Sequence, residues 1–169
     1  MPAAHADPGR SQSRVSQPQP GTDATGRRAA GRDAAPGSRD RLDGDLGSGK
    51  TTLTQGIARG WGALESVTSP TFVLINQYHR ADSDVLYHVD AFRLASAEEA
   101  KAMGLSELFD QGHIVVLEWP THVEGVLPEE RLRVALSWVD DSRRSLRFEA
   151  FGPTHRRLLG AFRKAAFGG

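Results

Sequence analysis

The chain has 169 residues, 38% of them hydrophobic and 25% charged, with 21 Lys+Arg set against 21 Asp+Glu. That length holds one ordinary core and hardly two, and a formal net charge of +0 supplies no global field to hold a polyanion, which disfavours nucleic-acid binding by bulk charge. The absence of cysteine removes disulfides, thiolate zinc sites, iron–sulfur clusters and a cysteine nucleophile, and no apolar run approaches the roughly 20 residues of a spanning helix, so a soluble, cytoplasmic protein is expected.

Residues 1–43 hold five of the nine prolines, eight alanines and seven arginines, while Met1, Val15 and Leu42 are their only large apolar side chains and every aromatic residue follows them. Such a segment cannot bury enough surface to order itself. Residues 1–40 are therefore expected to be a disordered or non-native head and residues 41–169 the folded domain. The five aspartates of the head argue against an organelle transit peptide. From Lys50 to about Trp61 the pattern is helical, with Leu53, Ile57 and Trp61 on one face. Strand-like runs follow at 72–78 and 85–89, with Asp82 and Asp84 in the turn between them, and then a helix around 97–103. Ile114-Val115-Val116-Leu117 reads as the most buried strand. Segments 131–139 and 145–151 flank Asp140-Asp141-Ser142 as a hairpin, and a last helix covers 154–166. Strands interleaved with helices predict an α/β fold, a three-layer phosphate-loop architecture with a mostly parallel sheet and an antiparallel edge hairpin.

Gly44-Asp45-Leu46-Gly47-Ser48-Gly49-Lys50-Thr51 satisfies G-x-x-x-x-G-K-[ST] and opens directly into the first helical pattern. The glycines let successive N–H groups point inward and the helix adds its positive end, which makes a cage for a polyphosphate. Lys50 supplies a mobile charge for the β and γ phosphates, the Thr51 hydroxyl is placed to ligate Mg²⁺, and Thr52 adds a phosphate hydrogen bond. A buried strand should deliver the chain into this loop, yet Ala35 to Asp43 holds four charges and one large apolar residue. That strand is poorly encoded, and residues upstream of about Arg41 are expected to be a wrong start or a shifted reading frame.

Two further strand candidates end in carboxylates, Asp90 after 85–89 and Glu118 after 114–117. In a parallel sheet both acids emerge at the edge that carries the phosphate loop, where one can hold Mg²⁺ through its water and the other can orient or deprotonate an attacking water. Taken singly, either reads as well as a helix cap or a loop ion pair. Ser69-Pro70-Thr71-Phe72 is a hydroxyl-rich loop able to sense a γ phosphate, or simply a turn before a strand. His88 shares a strand face with Asp90, with a structural imidazole as the alternative, and Trp119-Pro120 either caps the pocket or packs in the core. Arg143 and Arg144 stand near the hairpin turn, within reach of a nucleotide or merely solvated.

Together, Gly44 to Thr52, Ser69 to Phe72, His88-Val89-Asp90-Ala91-Phe92-Arg93-Leu94 and Glu118-Trp119-Pro120 resemble the TsaE (YjeE) family, with Phe92 where that family often has Tyr. The resemblance extends from roughly Leu42 to Arg147, and the head shows none. It implies a small ATPase that works with TsaB and TsaD in forming N6-threonylcarbamoyladenosine beside the anticodon of tRNAs reading codons that start with A, without itself transferring the group. It further implies ATP and Mg²⁺ as cofactors, Lys50 on the phosphates, Thr51 and Glu118 at the metal, Asp90 required for hydrolysis, and Ser69 to Phe72 as a switch-like loop. The tRNA is met only through the complex. Two other readings stay open: a nucleotide-responsive binding subunit with incidental turnover, and a small-molecule kinase, for which no Arg-bearing lid is visible. A GTPase is disfavoured because no N-K-x-D reads guanine.

Overall fold

The structure is a computed structural model that describes residues 11–15, 39–70 and 74–168. Its strands are β1 (Ser11–Val15), β2 (Arg39–Asp43), β3 (Ile75–His79), β4 (Val85–Asp90), β5 (Ile114–Glu118), β6 (Arg131–Trp138) and β7 (Arg144–Phe151). Its helices are α1 (Lys50–Trp61), α2 (Ala97–Ala102), α3 (Leu105–Asp110) and α4 (Gly152–Phe167), with a 3₁₀ segment at Pro120–Val126. One mixed sheet runs in the order β1-β7-β6-β2-β5-β4-β3. Its centre is parallel, with β2 between β6 and β5 and β4 beyond β5. The antiparallel part exceeds the single edge hairpin expected, because β3 pairs with β4 on one side while β7 and β1 extend the other.

Helices cover both faces. On one, Leu53, Ile57 and Trp61 of α1 and Leu159 and Phe162 of α4 pack against Leu42, Leu86, Val116, Val134 and Phe148 of the strands. On the other, Ala100, Leu105, Phe109 and Val123 close over Val89, Val115 and Leu117. Period-two alternation along β4 and β5 explains the division: Val115 and Leu117 face α2 and α3, whereas Ile114 and Val116 face α1 and α4. The same alternation sends His88 and Glu118 toward α1, the helix that the phosphate loop opens.

The strand that the sequence encodes poorly is nonetheless formed. Arg39–Asp43 is the middle of the sheet, with Asp40, Arg41 and Leu42 at 7%, 8% and 0% exposure. Its backbone pairs on both sides, and only Leu42 has to fill the apolar layer beneath α1. On the opposite face the charges neutralise one another. Arg41 binds Asp43 at 2.9 Å and Glu124 at 2.6 Å, and Asp43 also accepts from Arg133 Nε at 2.8 Å. Burial pulls the Arg41 guanidinium down, but the hydrogen bonds and charges of Asp43 and Glu124 more than offset it and leave it above the ordinary arginine value. Paired buried charges of this kind are tolerated where a lone one is not. The folded unit thus begins at least two residues ahead of the boundary drawn at 41, and Ser11–Val15 of the head adds an edge strand. The rest of the head expected to be disordered lies outside the described residues.

Candidate functional site

α1 begins at Lys50, as its apolar periodicity predicts, directly after a loop with Gly44, Gly47 and Gly49 at positive φ. The turn closes through the Ser48 amide on the Asp45 carbonyl at 3.1 Å, and Ser48 is buried while Asp45, Leu46 and Gly47 face solvent. Lys50 Nζ lies 2.6 Å from the Gly44 carbonyl and 2.8 Å from that of Asp45. The same ammonium stands 3.7 Å from the centre of the Trp119 ring, a cation–π contact. Burial lowers its pKa from the ordinary lysine value, opposed by the charges of Glu118, Asp90, Asp45 and Asp43. The four carboxylates oppose the cost of burying the ammonium and keep it charged more readily than burial alone would allow.

Asp90 and Glu118 end neighbouring parallel strands and are direct partners across the β4–β5 ladder. Sequence reasoning expects this juxtaposition, and the sheet supplies it. Glu118 is 2% exposed. Its Oε2 accepts from Thr51 Oγ1 at 3.2 Å, while Oε1 meets Thr54 Oγ1 at 3.2 Å and His88 Nε2 at 2.8 Å. Asp90 Oδ1 accepts from the Phe92 amide at 2.9 Å, an Asx turn that folds the chain away from the strand. Among the described residues no three His, Cys, Asp or Glu side chains cluster as a metal cage. Thr51 and Glu118 nonetheless present adjacent hard oxygens, the donor set by which Mg²⁺ is held when phosphates and water complete its shell.

Trp119 adopts the left-handed conformation with φ +59°, uncommon for a bulky residue, and Pro120 follows at the start of the 3₁₀ segment. The backbone turn aims the ring across the strand ends, where it meets Phe92 at 5.0 Å and carries Lys50 above it. Trp119 therefore lies between Phe92 and the Lys50 ammonium at the strand ends. Ser69 is exposed and Pro70 buried; Thr71 and Phe72 of the switch-like loop lie outside the described residues. The near side of that loop is pinned by Gln55 on the Val67 carbonyl and by Tyr78 on Thr68, and beyond it the Leu74 carbonyl accepts from the Asp90 amide at 3.0 Å. Both flanks of the loop are thus tied to the site.

Arg143 is not brought to the phosphate loop: its guanidinium is held by Asp140 within its own turn, and that bond keeps the Asp140 carboxyl well below the ordinary carboxylate range. Its neighbour Arg144 stacks 3.4 Å from the ring centre of Trp138, and that ring would lie 3.5 Å from a Cβ at Gly47. Thr52 is exposed on the first turn of α1. Sequence reasoning missed Thr54, although a hydroxyl one turn beyond Lys50 on a helix facing a strand-end acid is a usable signal. It also left the role of His88 open.

The family model described as threonylcarbamoyl adenosine biosynthesis protein TsaE matches residues 19–146. The chain belongs to the TsaE family. It is 42% identical over 102 residues to the tRNA threonylcarbamoyladenosine biosynthesis protein TsaE of Haemophilus influenzae, covering 60% of this chain and 64% of that one. It is 38% identical over 125 residues to the protein of that name from Bacillus subtilis, covering 74% and 77%. A crystal structure of Bacillus subtilis YdiB superposes with a TM-score of 0.71 at 30% identity, covering 92% of this chain and 95% of that one. The match from residue 19 corrects the expectation that similarity begins near Leu42. Among the described residues no helix is long and apolar enough to cross a membrane.

Proposed function

We propose that this TsaE-family chain is a Mg²⁺-dependent ATPase subunit that acts with TsaB- and TsaD-like proteins in forming the threonylcarbamoyl group on adenosine 37 of tRNAs reading codons that start with A, in the cytoplasm. The observation that carries the reading is the meeting of Thr51 and Glu118 at 3.2 Å beside a phosphate loop, with Asp90 level with Glu118 on the next strand. Asp45 to Thr52 wrap the phosphates through backbone amides, and Lys50 leaves the Gly44 and Asp45 carbonyls to neutralise the β and γ oxygens. Thr51 and Glu118 would hold Mg²⁺, which would supply charge neutralisation for the terminal phosphates. Asp90, fixed through Oδ1, orients or deprotonates the attacking water with its other oxygen. Arg143 reaches the nucleotide only after leaving Asp140, and Ser69 to Phe72 respond to the γ phosphate.

Lys50→Ala is expected to abolish ATP hydrolysis measured with the partner proteins present; equal turnover in that variant overturns the mechanism. A second reading, a nucleotide-responsive docking subunit with incidental turnover, is favoured by the exposed apolar rim of Leu46 at 84%, Phe92 at 59% and Trp138 at 49%. Asp90→Asn separates the two, because it spares ATP binding while removing hydrolysis. If tRNA modification survives in that variant, the docking reading replaces the ATPase one.

A further inference from the structure

Glu118 has two oxygens with different surroundings. Oε1 is shared by His88 Nε2 at 2.8 Å and Thr54 Oγ1 at 3.2 Å, and His88 and Thr54 are both 0% exposed. Oε2 has a different neighbour, Thr51 Oγ1 at 3.2 Å. The buried half of the carboxylate is thus held chiefly from β4, while on the α1 side the single Thr54 hydroxyl hydrogen is shared between Oε1 at 3.2 Å and the Lys50 carbonyl at 3.1 Å; rotation about the terminal Glu118 torsion would break both contacts to Oε1.

His88 itself is committed. An ionised carboxylate can only accept, so Nε2 carries the hydrogen and donates it. Nδ1, the other ring nitrogen, has no hydrogen-bond partner among the described residues. Leaving a buried imidazole half-satisfied has a cost, and a fold that needed only packing at this place would be served by leucine.

From this we infer that His88 is a positioning residue. Donating to Oε1, together with Thr54, it locks the Glu118 carboxylate so that Oε2 is presented beside Thr51 as the protein's ready metal ligand. The imidazole touches neither nucleotide nor cation and acts entirely through Glu118. The inference rests on the proposed Mg²⁺ site and deepens it, since it names the device that pre-sets one of its two protein ligands. Supporting partners of this kind are worth about 10–100-fold in metal affinity.

The test is a pair of substitutions that differ only in reach. The side-chain nitrogen of His88→Gln comes close to the position of Nε2, whereas that of His88→Asn stops near Nδ1. ATP binding is measured by calorimetry twice, once in chelator and once across a Mg²⁺ titration, with melting curves to check folding. His88→Asn is expected to raise the half-saturating Mg²⁺ concentration about 10-fold or more, with metal-free ATP affinity within twofold of the unchanged protein. His88→Gln is expected to restore most of the loss. An unaltered Mg²⁺ requirement in His88→Asn, equal loss in both variants, or a parallel fall of metal-free binding overturns the inference. Should the His88 variants not fold, Thr54→Val removes the other bond to Oε1 at nearly constant volume, and an unshifted Mg²⁺ requirement there overturns it equally. Absence of Mg²⁺-dependent binding in the unchanged protein overturns the proposed function, and this inference with it.

Discussion

Two glycines of one loop allow steric crowding to be separated from backbone strain. Gly44 has φ +151°, and a Cβ placed there would stand 2.6 Å from the Leu136 carbonyl oxygen and 2.6 Å from Ser48 Oγ, with Leu136 Cβ at 3.2 Å. Ser48 is buried and its hydroxyl has little room to turn, while the Leu136 carbonyl belongs to β6 and cannot withdraw without bending the sheet. Relief requires a movement of about 0.8 Å between the loop and β6. Gly49 has φ +102°, yet a Cβ there meets nothing within 4 Å. Alanine at either place costs about 1–3 kcal/mol of backbone strain, and Gly44→Ala adds about 1–3 kcal/mol of overpacking. For a domain of this size each kcal/mol lowers the melting temperature by about 2–4 °C. Gly44→Ala should therefore melt several degrees below Gly49→Ala and bind ATP at least about 10-fold more weakly than the unchanged protein, a loss of about 1.4 kcal/mol. Scanning calorimetry and isothermal titration read both quantities. Equal melting of the two variants would refute the close-approach reasoning, because it would mean that β6 yields without cost.

The charged centre of β2 makes two opposed predictions. Asp43→Asn leaves Arg41 and Arg133 facing each other and should cost about 2–3 kcal/mol in urea denaturation, below the usual range for a broken buried pair because Arg133 is 34% exposed. Arg41→Leu should stay within about 1 kcal/mol, since Asp43 keeps Arg133 and Glu124 is 58% exposed to water; the reverse order of the two effects would show that the pairing is misjudged. His155, 1% exposed and accepting from the Arg39 amide at 3.3 Å, has its pKa lowered from the ordinary 6.5 by burial, with the Glu130 charge opposing. Its unfolded form binds the proton more readily, so the stability it lends is complete above pH 6.5 and is lost as pH falls through the folded value. Melting temperature should drop more steeply from about pH 7 to pH 5 in the unchanged protein than in His155→Gln, and parallel curves would count against it.

What could be read from the residues was whatever repeats locally or stands in a fixed spacing. The phosphate loop, α1 and the two acids at strand ends announce themselves because glycine placement, apolar periodicity and a terminal carboxylate are all short-range signals. β2 was hidden because its partners are distant: Glu124 and Arg133 neutralise Arg41 and Asp43, and no window around residue 40 contains them. α3 escaped for a related reason, since six residues with only Leu105 and Phe109 buried show barely one turn of period. The link from His88 to Glu118 joins residues 30 apart and becomes visible only when β4 lies beside β5. Arg143 shows the converse, where proximity in sequence to the hairpin suggested a reach that Asp140 takes up instead.

The row of charges over β2, β6 and β7 has a bearing on how the strand finds its seat. Arg41 lies opposite Arg133, and Arg133 opposite Glu149, with Asp43 bridging the first two. Leu42 alone gives hydrophobic patterning little with which to choose among alignments. Sliding β2 by one position would carry Arg41 and Asp43 to the apolar side and Leu42 to the ionic one. Electrostatic matching, more than apolar periodicity, thus bears on the height at which the phosphate loop leaves the sheet, and because the Arg41–Asp43 pair is mostly buried, added salt screens that alignment far less than it screens charges on the surface.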